Sequence, residues 1–503
     1  MLYEWPEAEI ETIGLVDLGG ARSDPEGSRS QKVALHARTI ENCFVAAVVI
    51  ASAIVARTHI WSTTIWYDEA ITLLTTSGHA TTDWSLGMQQ FKPTANLITI
   101  LLQLYGQDVH PPLYFWTLAI WRVLFGASLE VARWLSTLFA LATLGLLYRY
   151  AIEIRMRWSS LPVIIYAVSA VGLRYAYNAR PYAMATFLIV LTLFLAHRKS
   201  KWTGVCAAAC VATHYFAALC VGPIIAIECF MGWKTDRRWT SWTAISFAAF
   251  CGPLTILVAN HVGARPHQFP GFGIFHKEVH ALLKGAVEGA TPYTPLWRHS
   301  NLALLLAALL PAAGGIWAIR RKLLTLSFTY AAFLCGFLIL AIATHKSVEK
   351  MPNAYYLGIG APLLVLLIAY GVNAVPLSSP LLAFALVVGT VTATPLMPTI
   401  DYRAMLGHIR SECDHCVVLV GFGYGGAVPA CVLYEAKGLD VLLLRASDTP
   451  DEIVQRIGTG RTIFLISSND PPTAQVEGEF VQAYPSVPGD GYFRIDPTFR
   501  NPR

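Results

Sequence analysis

The sequence predicts a polytopic α-helical membrane protein with about 11–13 transmembrane or re-entrant helices and a small C-terminal α/β domain. The chain has 503 residues, of which 55% are hydrophobic and only 14% are charged, whereas roughly 25% of the residues in an ordinary soluble domain are charged. Apolar runs of about 20 residues, long enough to cross a bilayer, recur between Ile40 and Leu396. Together these observations exclude a soluble enzyme and a disordered chain.

Clusters of basic residues separate the apolar runs and predict the orientation of the chain. They comprise Arg149/Arg155/Arg157, Arg198/Lys199/Lys201, Lys234/Arg237/Arg238 and Arg320/Arg321/Lys322. Because short cytoplasmic loops are enriched in Lys and Arg, these clusters are predicted to lie in the cytoplasm. The net charge of +5 then reflects topology, and no nucleic-acid partner is predicted.

The apolar runs divide the chain into three parts. Residues 1–39 are predicted to form a cytoplasmic N-terminal tail, residues 40–399 a transmembrane domain, and residues 400–503 an extracytoplasmic α/β domain. The predicted extracytoplasmic loops are 61–110 and 261–299, and residues 95–105 and 112–125 are expected to form two short or re-entrant helices. The predicted spans lie near 41–60, 130–148, 158–176, 182–197, 202–213, 215–231, 240–260, 300–318, 324–344, 354–373 and 378–397. The predicted location is the bacterial inner membrane or a plasma membrane.

The adjacent acids Asp68 and Glu69 are the first candidates for chemistry. They directly follow the first span, and a carboxylate at the membrane boundary can deprotonate an acceptor hydroxyl. Acids also favour the first turn of a helix, so a capping role is an equal alternative.

His110 and Tyr114 flank a pair of prolines that fix the backbone at a predicted helix start. The histidine could contact a phosphate or a sugar hydroxyl, although a simple helix start with interfacial aromatic residues is the more economical interpretation. Further polar residues occur at the predicted outer ends of spans: Arg180, Tyr182, His214, His345 and Lys346. Such a convergence favours an enzyme that acts on a lipid-borne phosphate.

These motifs, in this order, resemble the polyprenyl-phosphate-sugar-dependent glycosyltransferases, which include protein O-mannosyltransferases and lipid A aminoarabinose transferases. The resemblance covers roughly residues 40–372 and depends on Trp66-Tyr67-Asp68-Glu69-Ala70, His110-Pro111-Pro112-Leu113-Tyr114, Arg133 with Ser136 and Gly145, Ala179-Arg180-Pro181-Tyr182-Ala183, and His214-Tyr215-Phe216. It implies a sugar donor linked to polyprenyl phosphate and inverting transfer to a hydroxyl of a lipid, polysaccharide or protein acceptor at the outer face of the membrane. Membrane lipids are the remaining expected partner.

The resemblance also implies roles for individual residues. Asp68 would be the general base, Glu69 would orient the base or the acceptor, and His110 would help to hold the lipid phosphate. Arg180, His345, Lys346 and Tyr355 would complete the substrate-binding set together with Tyr114, Tyr182 and His214. Asn353 stands where relatives often carry Arg, and Asn178 stands where they often carry an acid. A divalent metal is compatible with this assignment, but the sequence does not require one and identifies no metal ligands.

Three other features of the sequence suggest competing interpretations. A transporter or flippase of lipid-linked substrates is the alternative function, but transporters usually place polar groups near the bilayer midplane and often contain repeated halves. The run Gly421-Phe422-Gly423-Tyr424-Gly425-Gly426 matches a dinucleotide-binding fingerprint, but a plain strand-to-helix turn is preferred. Cys413 and Cys416 form a C-x-x-C motif without the second pair that a zinc site needs, so a local disulfide on an oxidising face of the membrane is predicted in preference to a metal or redox centre.

Overall fold

The computed structural model describes residues 25–79, 91–93, 96–107, 110–263, 315–316, 323–343, 358–373, 401–413, 415–421, 427–445, 447–458, 460–467, 471–489 and 492–497. The predicted site residues His345, Lys346 and Tyr355 lie outside these ranges. So do nearly all of the predicted loop 261–299 and the predicted spans near 300–318 and 378–397.

The described part of the chain is mainly helical, as the composition predicts. Its helices before residue 374 are α1 (Pro25–Ser62), α2 (Tyr67–Thr76), α3 (Leu97–Gln107), α4 (Leu113–Phe125), α5 (Leu129–Glu153), α6 (Leu161–Val168), α7 (Ala170–Tyr177), α8 (Tyr182–His197), α9 (Thr203–Thr213), α10 (Ala218–Gly232), α11 (Arg237–Gly263), α12 (Leu324–Ala343) and α13 (Ala361–Asn373). Short 3-10 turns precede α10 and α13, at Tyr215–Ala217 and Gly358–Gly360.

Several of these helices are long and apolar enough to cross a membrane. Among the described residues they are Arg38–Ser62, Leu129–Glu153, Tyr215–Gly232 and Arg237–Leu257. A bent pair, α7 and α8, meets the same criterion if the two helices are taken together, with 118° between them. The prediction of a polytopic membrane protein is therefore confirmed.

The two short helices predicted before residue 126 are present as α3 and α4. Pro112 precedes the first turn of α4, and Gly126 ends that helix with a φ of 117°, which a residue with a side chain rarely adopts. At 11 and 13 residues, both helices are shorter than the roughly 20 residues needed for a full span.

The predicted single helix over residues 158–176 is wrong, because the chain breaks at Ser169 into α6 and α7. Ser169 has an extended backbone, and its side chain accepts a hydrogen bond from the backbone amide of Gly172. The serine therefore caps a new helix in the middle of an apolar run.

The C-terminal part folds into a five-stranded sheet with the order β2-β1-β3-β5-β4. The central strands β1, β2 and β3 are parallel, whereas β5 runs antiparallel to β3 and β4. The elements are α14 (Tyr402–Glu412), β1 (Val417–Gly421), α15 (Ala427–Glu435), β2 (Asp440–Leu444), α16 (Pro450–Ile457), β3 (Ile463–Ile466), α17 (Pro471–Ala483), β4 (Ser486–Pro488) and β5 (Phe493–Ile495). The predicted α/β domain is thus confirmed.

The two faces of this sheet pack in different directions. Alternate residues of a strand point to opposite faces, so Val418 and Val420 pack in the same core as the membrane helices, whereas Leu419 packs in a separate core with α16 and α17. Helix α15 lies against α2. The sheet is therefore joined to the membrane helices through α15 and α2, the helix that carries Asp68 and Glu69.

The predicted disulfide between Cys413 and Cys416 is wrong, since both cysteines are free thiols in the structure. The Cys416 thiol donates instead to the backbone carbonyl of Cys413 at 3.0 Å. Burial raises the pKa of Cys416 to about 12, so this thiol is not a reactive nucleophile.

Candidate active site

Helix α2 begins one residue before the two candidate acids and presents both in its first turn. The carboxylate of Glu69 accepts a hydrogen bond from the backbone amide of Trp66, the N-cap residue, at 3.1 Å. Glu69 therefore caps the helix, as the alternative interpretation of the sequence proposed. Asp68, its neighbour, is not used in this way.

Glu69 is completely buried and is paired with an arginine from α5. Arg133 donates from Nε to Glu69 Oε1 at 2.9 Å and from Nη2 to Oε2 at 2.7 Å. The backbone amide of Ala179, between α7 and α8, also donates to Oε1, at 2.9 Å. A bidentate pair with further hydrogen bonds satisfies a buried carboxylate well. Glu69 thus holds three parts of the chain together.

Arg133 extends the same network towards the end of α1. Its Nη1 donates to the backbone oxygens of Ile60 and Thr63, and its Nη2 donates to the backbone oxygen of Thr64, with distances of 2.9–3.1 Å. The side chain is 1% exposed. The segment between α1 and α2 is therefore fixed by one guanidinium group.

Asp68 lies in a different environment from Glu69. Its side chain is 21% exposed, and Oδ1 lies 3.9 Å from Nη2 of Arg180, beyond hydrogen-bonding distance. The carboxylate is therefore accessible and lies beside a cation.

Arg180 is buried where α7 turns into α8, and its guanidinium faces Asp68. Its Nη1 donates to the backbone oxygen of Asp68 at 3.2 Å and to Thr72 Oγ1 at 2.9 Å. Its Nη2 lies 3.1 Å from Nε2 of His110. The predicted residues Asp68, His110 and Arg180 are thus brought together, although Arg180 is 112 residues from Asp68 and 70 from His110 along the chain.

Aromatic rings surround the pair formed by His110 and Arg180. The ring of His214 lies 5.6 Å from that of His110 and 5.3 Å from that of Tyr182. Tyr182 in turn stacks on Tyr175, with ring centroids 5.0 Å apart. His214 and Tyr182 therefore belong to the same cluster, as the sequence predicted.

Tyr114 is also buried, but it is directed towards α5. Its hydroxyl lies 3.3 Å from Ser136 Oγ. Within the described part of the chain, Tyr114 makes no hydrogen bond to Arg180.

Two further observations concern the surroundings of the site. The Nδ2 atom of the buried Asn178, between α7 and α8, has no hydrogen-bond partner among the described residues. No three His, Cys, Asp or Glu side chains of the described ranges converge on a common point suitable for a metal ion.

Arg122 is a residue of this region that the sequence analysis did not select. It is 1% exposed and donates to the backbone oxygen of Leu73 and to Thr76 Oγ1, at the C-terminal end of α2. A charge inside an apolar run is a signal of function or of specific pairing. Arg122 lies inside the apolar run 112–125, so this criterion identifies it from the sequence.

The C-terminal domain forms part of the surroundings of α2. Cys431, on α15, is fully buried, and its pKa is raised well above its ordinary value, first by burial and then by the negative charges of Glu69, Glu435 and Asp68. The buried Glu435 pairs with Arg403, whose pKa is raised chiefly by this hydrogen bond. Cys431 is therefore a neutral thiol on the side of α2 that faces the C-terminal domain, and the neighbouring Glu435 is paired.

Comparison with known proteins supports the class that the motifs indicate. Residues 109–260 match the sequence model of the family described as dolichyl-phosphate-mannose-protein mannosyltransferase. The matched residues include His110, Arg133, Arg180 and His214. None of the curated proteins matches the sequence.

Among solved structures, the chain is similar to ArnT from Cupriavidus metallidurans bound to undecaprenyl phosphate. The TM-score is 0.51 at 12% sequence identity, and the match covers 90% of this chain and 97% of that one. The apo form of the same protein matches with a TM-score of 0.41, 10% identity and the same coverage. The match with a TM-score of 0.51 shows an ArnT-like membrane fold. Together with the family-model match over residues 109–260, it confirms the resemblance to polyprenyl-phosphate-sugar-dependent glycosyltransferases.

Proposed function

We propose that this protein transfers a sugar from a polyprenyl-phosphate-linked donor to an acceptor hydroxyl, with inversion at the anomeric carbon and with Asp68 as the general base. The observation that carries the proposal is the placement of an accessible carboxylate, Asp68, next to the buried pair Arg180 and His110. The similar ArnT structure was solved with undecaprenyl phosphate, which supports a donor of the same chemical class.

The pair of Arg180 and His110 suits the leaving group of this reaction. As the bond between the anomeric carbon and the phosphate oxygen breaks, negative charge accumulates on the departing polyprenyl phosphate. Arg180, with His110 beside it, lies in a buried, aromatic environment, where an oriented positive group stabilises such a charge more strongly than it would in water. His345, Lys346 and Tyr355, which lie outside the described residues, are proposed to complete this phosphate site.

The two carboxylates, Asp68 and Glu69, have different proposed roles. Asp68 would accept the proton of the acceptor hydroxyl while that oxygen attacks the anomeric carbon. Glu69, which is saturated by Arg133 and Ala179, would act as a positioning residue that fixes the start of α2. One carboxylate suffices for a single displacement with inversion, unlike the paired carboxylates of a retaining hydrolase, since no covalent intermediate is required.

The proposed reaction would take place at the outer face of the membrane. The proposed acceptor is a hydroxyl of a lipid, a polysaccharide or a protein. Comparing the envelope glycolipids and glycoproteins of a deletion strain by mass spectrometry would identify the sugar and the acceptor that are lost.

The first test is the substitution Asp68→Asn in purified protein, assayed in detergent with undecaprenyl-phosphate mannose and undecaprenyl-phosphate aminoarabinose as donors. We expect sugar release or transfer to fall at least about 100-fold, since general bases commonly contribute 10²–10⁴-fold. Binding of undecaprenyl phosphate should remain. Near-normal turnover by the variant would contradict the role of Asp68.

Asp401→Asn provides a matched control, because Asp401 caps α14 through the Ala404 amide and Asn is an equally good cap. This variant should retain full turnover.

The assay in detergent also distinguishes the proposed enzyme from a transporter. A transporter needs two sealed compartments and would show no turnover in detergent with either donor.

A further inference from the structure

We infer that the C-terminal α/β domain positions α2, and with it Asp68, through a buried junction in which Arg122 and Tyr434 are positioning residues. The inference rests on the proposed role of Asp68 as the base. The junction, defined here as Arg122, Phe91, Tyr434 and the backbone of residues 127–129, lies at the opposite end of α2 from the candidate acids.

Arg122 holds the last turn of α2. Its Nη1 donates to the backbone oxygen of Leu73 at 3.1 Å, to Thr76 Oγ1 at 2.6 Å and to Ser77 Oγ at 3.3 Å. The C-terminal end of a helix carries partial negative charge, so a cation there is stabilised electrostatically. Arg122 therefore fixes α2 at its C-terminal end, while Arg133 fixes it at the other end through Glu69.

The same guanidinium group joins α2 to two neighbouring segments. Its Nη2 donates to the backbone oxygen of Phe91 and, at 3.0 Å, to that of Ala127, just before α5. All of the acceptors of Arg122 are neutral, and they lie in separate parts of the chain. A lysine, with its single small ammonium group, could not reach them all.

Tyr434 connects this arrangement to the C-terminal domain. It lies on α15, its hydroxyl accepts a hydrogen bond from the backbone amide of Leu129 at 2.9 Å, and its ring packs edge-on against Phe91 with centroids 5.2 Å apart. Helix α15 also packs directly along α2. Phe91 is thus held by Arg122 on one side and by the C-terminal domain on the other.

The geometry of the reaction makes this junction functional. Helix α2 has 10 residues and is therefore only about 15 Å long, so a tilt at its C-terminal end moves Asp68 as well. A misplacement of about 1 Å in a catalytic group can reduce the rate about 100-fold. The junction fixes α2 without touching the substrate, so it should affect kcat rather than donor binding.

The test compares the full-length variants Tyr434→Phe and Arg122→Lys with the wild type, using the donors named above. We expect kcat to fall about tenfold in each variant, while KM for the donor and the affinity for undecaprenyl phosphate change less than twofold. Hydrogen exchange should increase in α2 and at the start of α5. Tyr434→Phe removes one oxygen atom and keeps the ring, so the variant retains its packing against Phe91.

Tyr484→Phe is the matched control, since Tyr484 donates to Asp451 on the far face of the same domain. It should leave kcat and the exchange of α2 unchanged. Equal kcat and equal exchange in Tyr434→Phe and wild type would overturn the inference while leaving the proposed function intact. Absence of turnover in the wild type would overturn the proposed function, and the exchange of α2 would still test the junction.

Discussion

At the scale of single residues, Asp68 and Glu69 are adjacent in the chain and have opposite surroundings. The carboxylate of Glu69 is 0% exposed and is paired with Arg133, whereas the side chain of Asp68 is 21% exposed and lies 3.9 Å from Arg180. The residue pattern selected both acids, and only the family resemblance suggested different roles for them, because the difference in their surroundings depends on α5 and on the turn between α7 and α8. Those segments are 64 and 110 residues away along the chain.

The buried pair predicts the effect of Glu69→Gln. The substitution leaves the Arg133 charge buried without its partner, which typically costs about 3–5 kcal/mol. We therefore expect a large decrease in the unfolding midpoint of the purified protein in detergent, together with loss of turnover.

Glu153→Gln serves as the comparison for this prediction. Glu153 pairs with Arg149 on the exposed surface of α5 at 3.2 Å, and a pair of this kind contributes only about 0.3–0.5 kcal/mol. If the two variants unfolded at the same midpoint, the buried pair would not be a stabilising feature of the site.

At the scale of elements, apolar run length predicts helices well where packing adds no interruption. The predicted helix over residues 182–197 is observed as α8 with the same bounds, because Pro181 starts it and basic residues follow it. The break between α6 and α7 was missed since it depends on one hydrogen bond, from the Gly172 amide to Ser169 Oγ. Hydropathy carries no signal for such a bond.

The break predicts that Gly172 does not tolerate a side chain. A Cβ atom at this position would lie 2.1 Å from the backbone oxygen of Tyr166 and 2.9 Å from Ser169 Oγ. We expect Gly172→Ala to reduce stability by about 1–3 kcal/mol, as overpacking generally does, and to lower the unfolding midpoint in detergent.

Gly145→Ala is the matched substitution for this test. A Cβ atom at Gly145 meets nothing within 4 Å, and alanine is preferred over glycine inside a helix by up to about 1 kcal/mol. This variant should be equal to the wild type or more stable. A Gly172→Ala protein as stable as Gly145→Ala would show that the backbone adapts at the break.

At the scale of the whole molecule, the sequence predicted a membrane domain and a C-terminal α/β domain but not their contact. The contact includes Tyr434, which accepts from the Leu129 amide, and the fully buried Cys431, and neither residue has an unusual pattern in the sequence. In the structure, the inner face of the sheet and the membrane helices share one apolar core. The role of Arg122 likewise depends on the packing of α2, α4 and the start of α5 against one another, which the sequence does not show.

This contact also bears on the predicted orientation of the chain in the membrane. Helix α5 spans 25 residues, or about 38 Å, which is enough to cross a bilayer. Its first residue, Leu129, contacts Tyr434 of the C-terminal domain, and the basic residues Arg155 and Arg157 follow its last turn. The C-terminal domain and the basic cluster therefore lie at opposite ends of one spanning helix.

Because clusters of Arg and Lys favour the cytoplasm, we expect the C-terminal domain to be outside. A membrane-impermeant maleimide should label Val487→Cys in intact cells, since Val487 is 65% exposed, and should label Arg157→Cys only after permeabilisation. The unsubstituted chain gives the background from its own cysteines. Labelling of Arg157→Cys alone in intact cells would reverse the orientation and would place Asp68 and the proposed donor site on the cytoplasmic side.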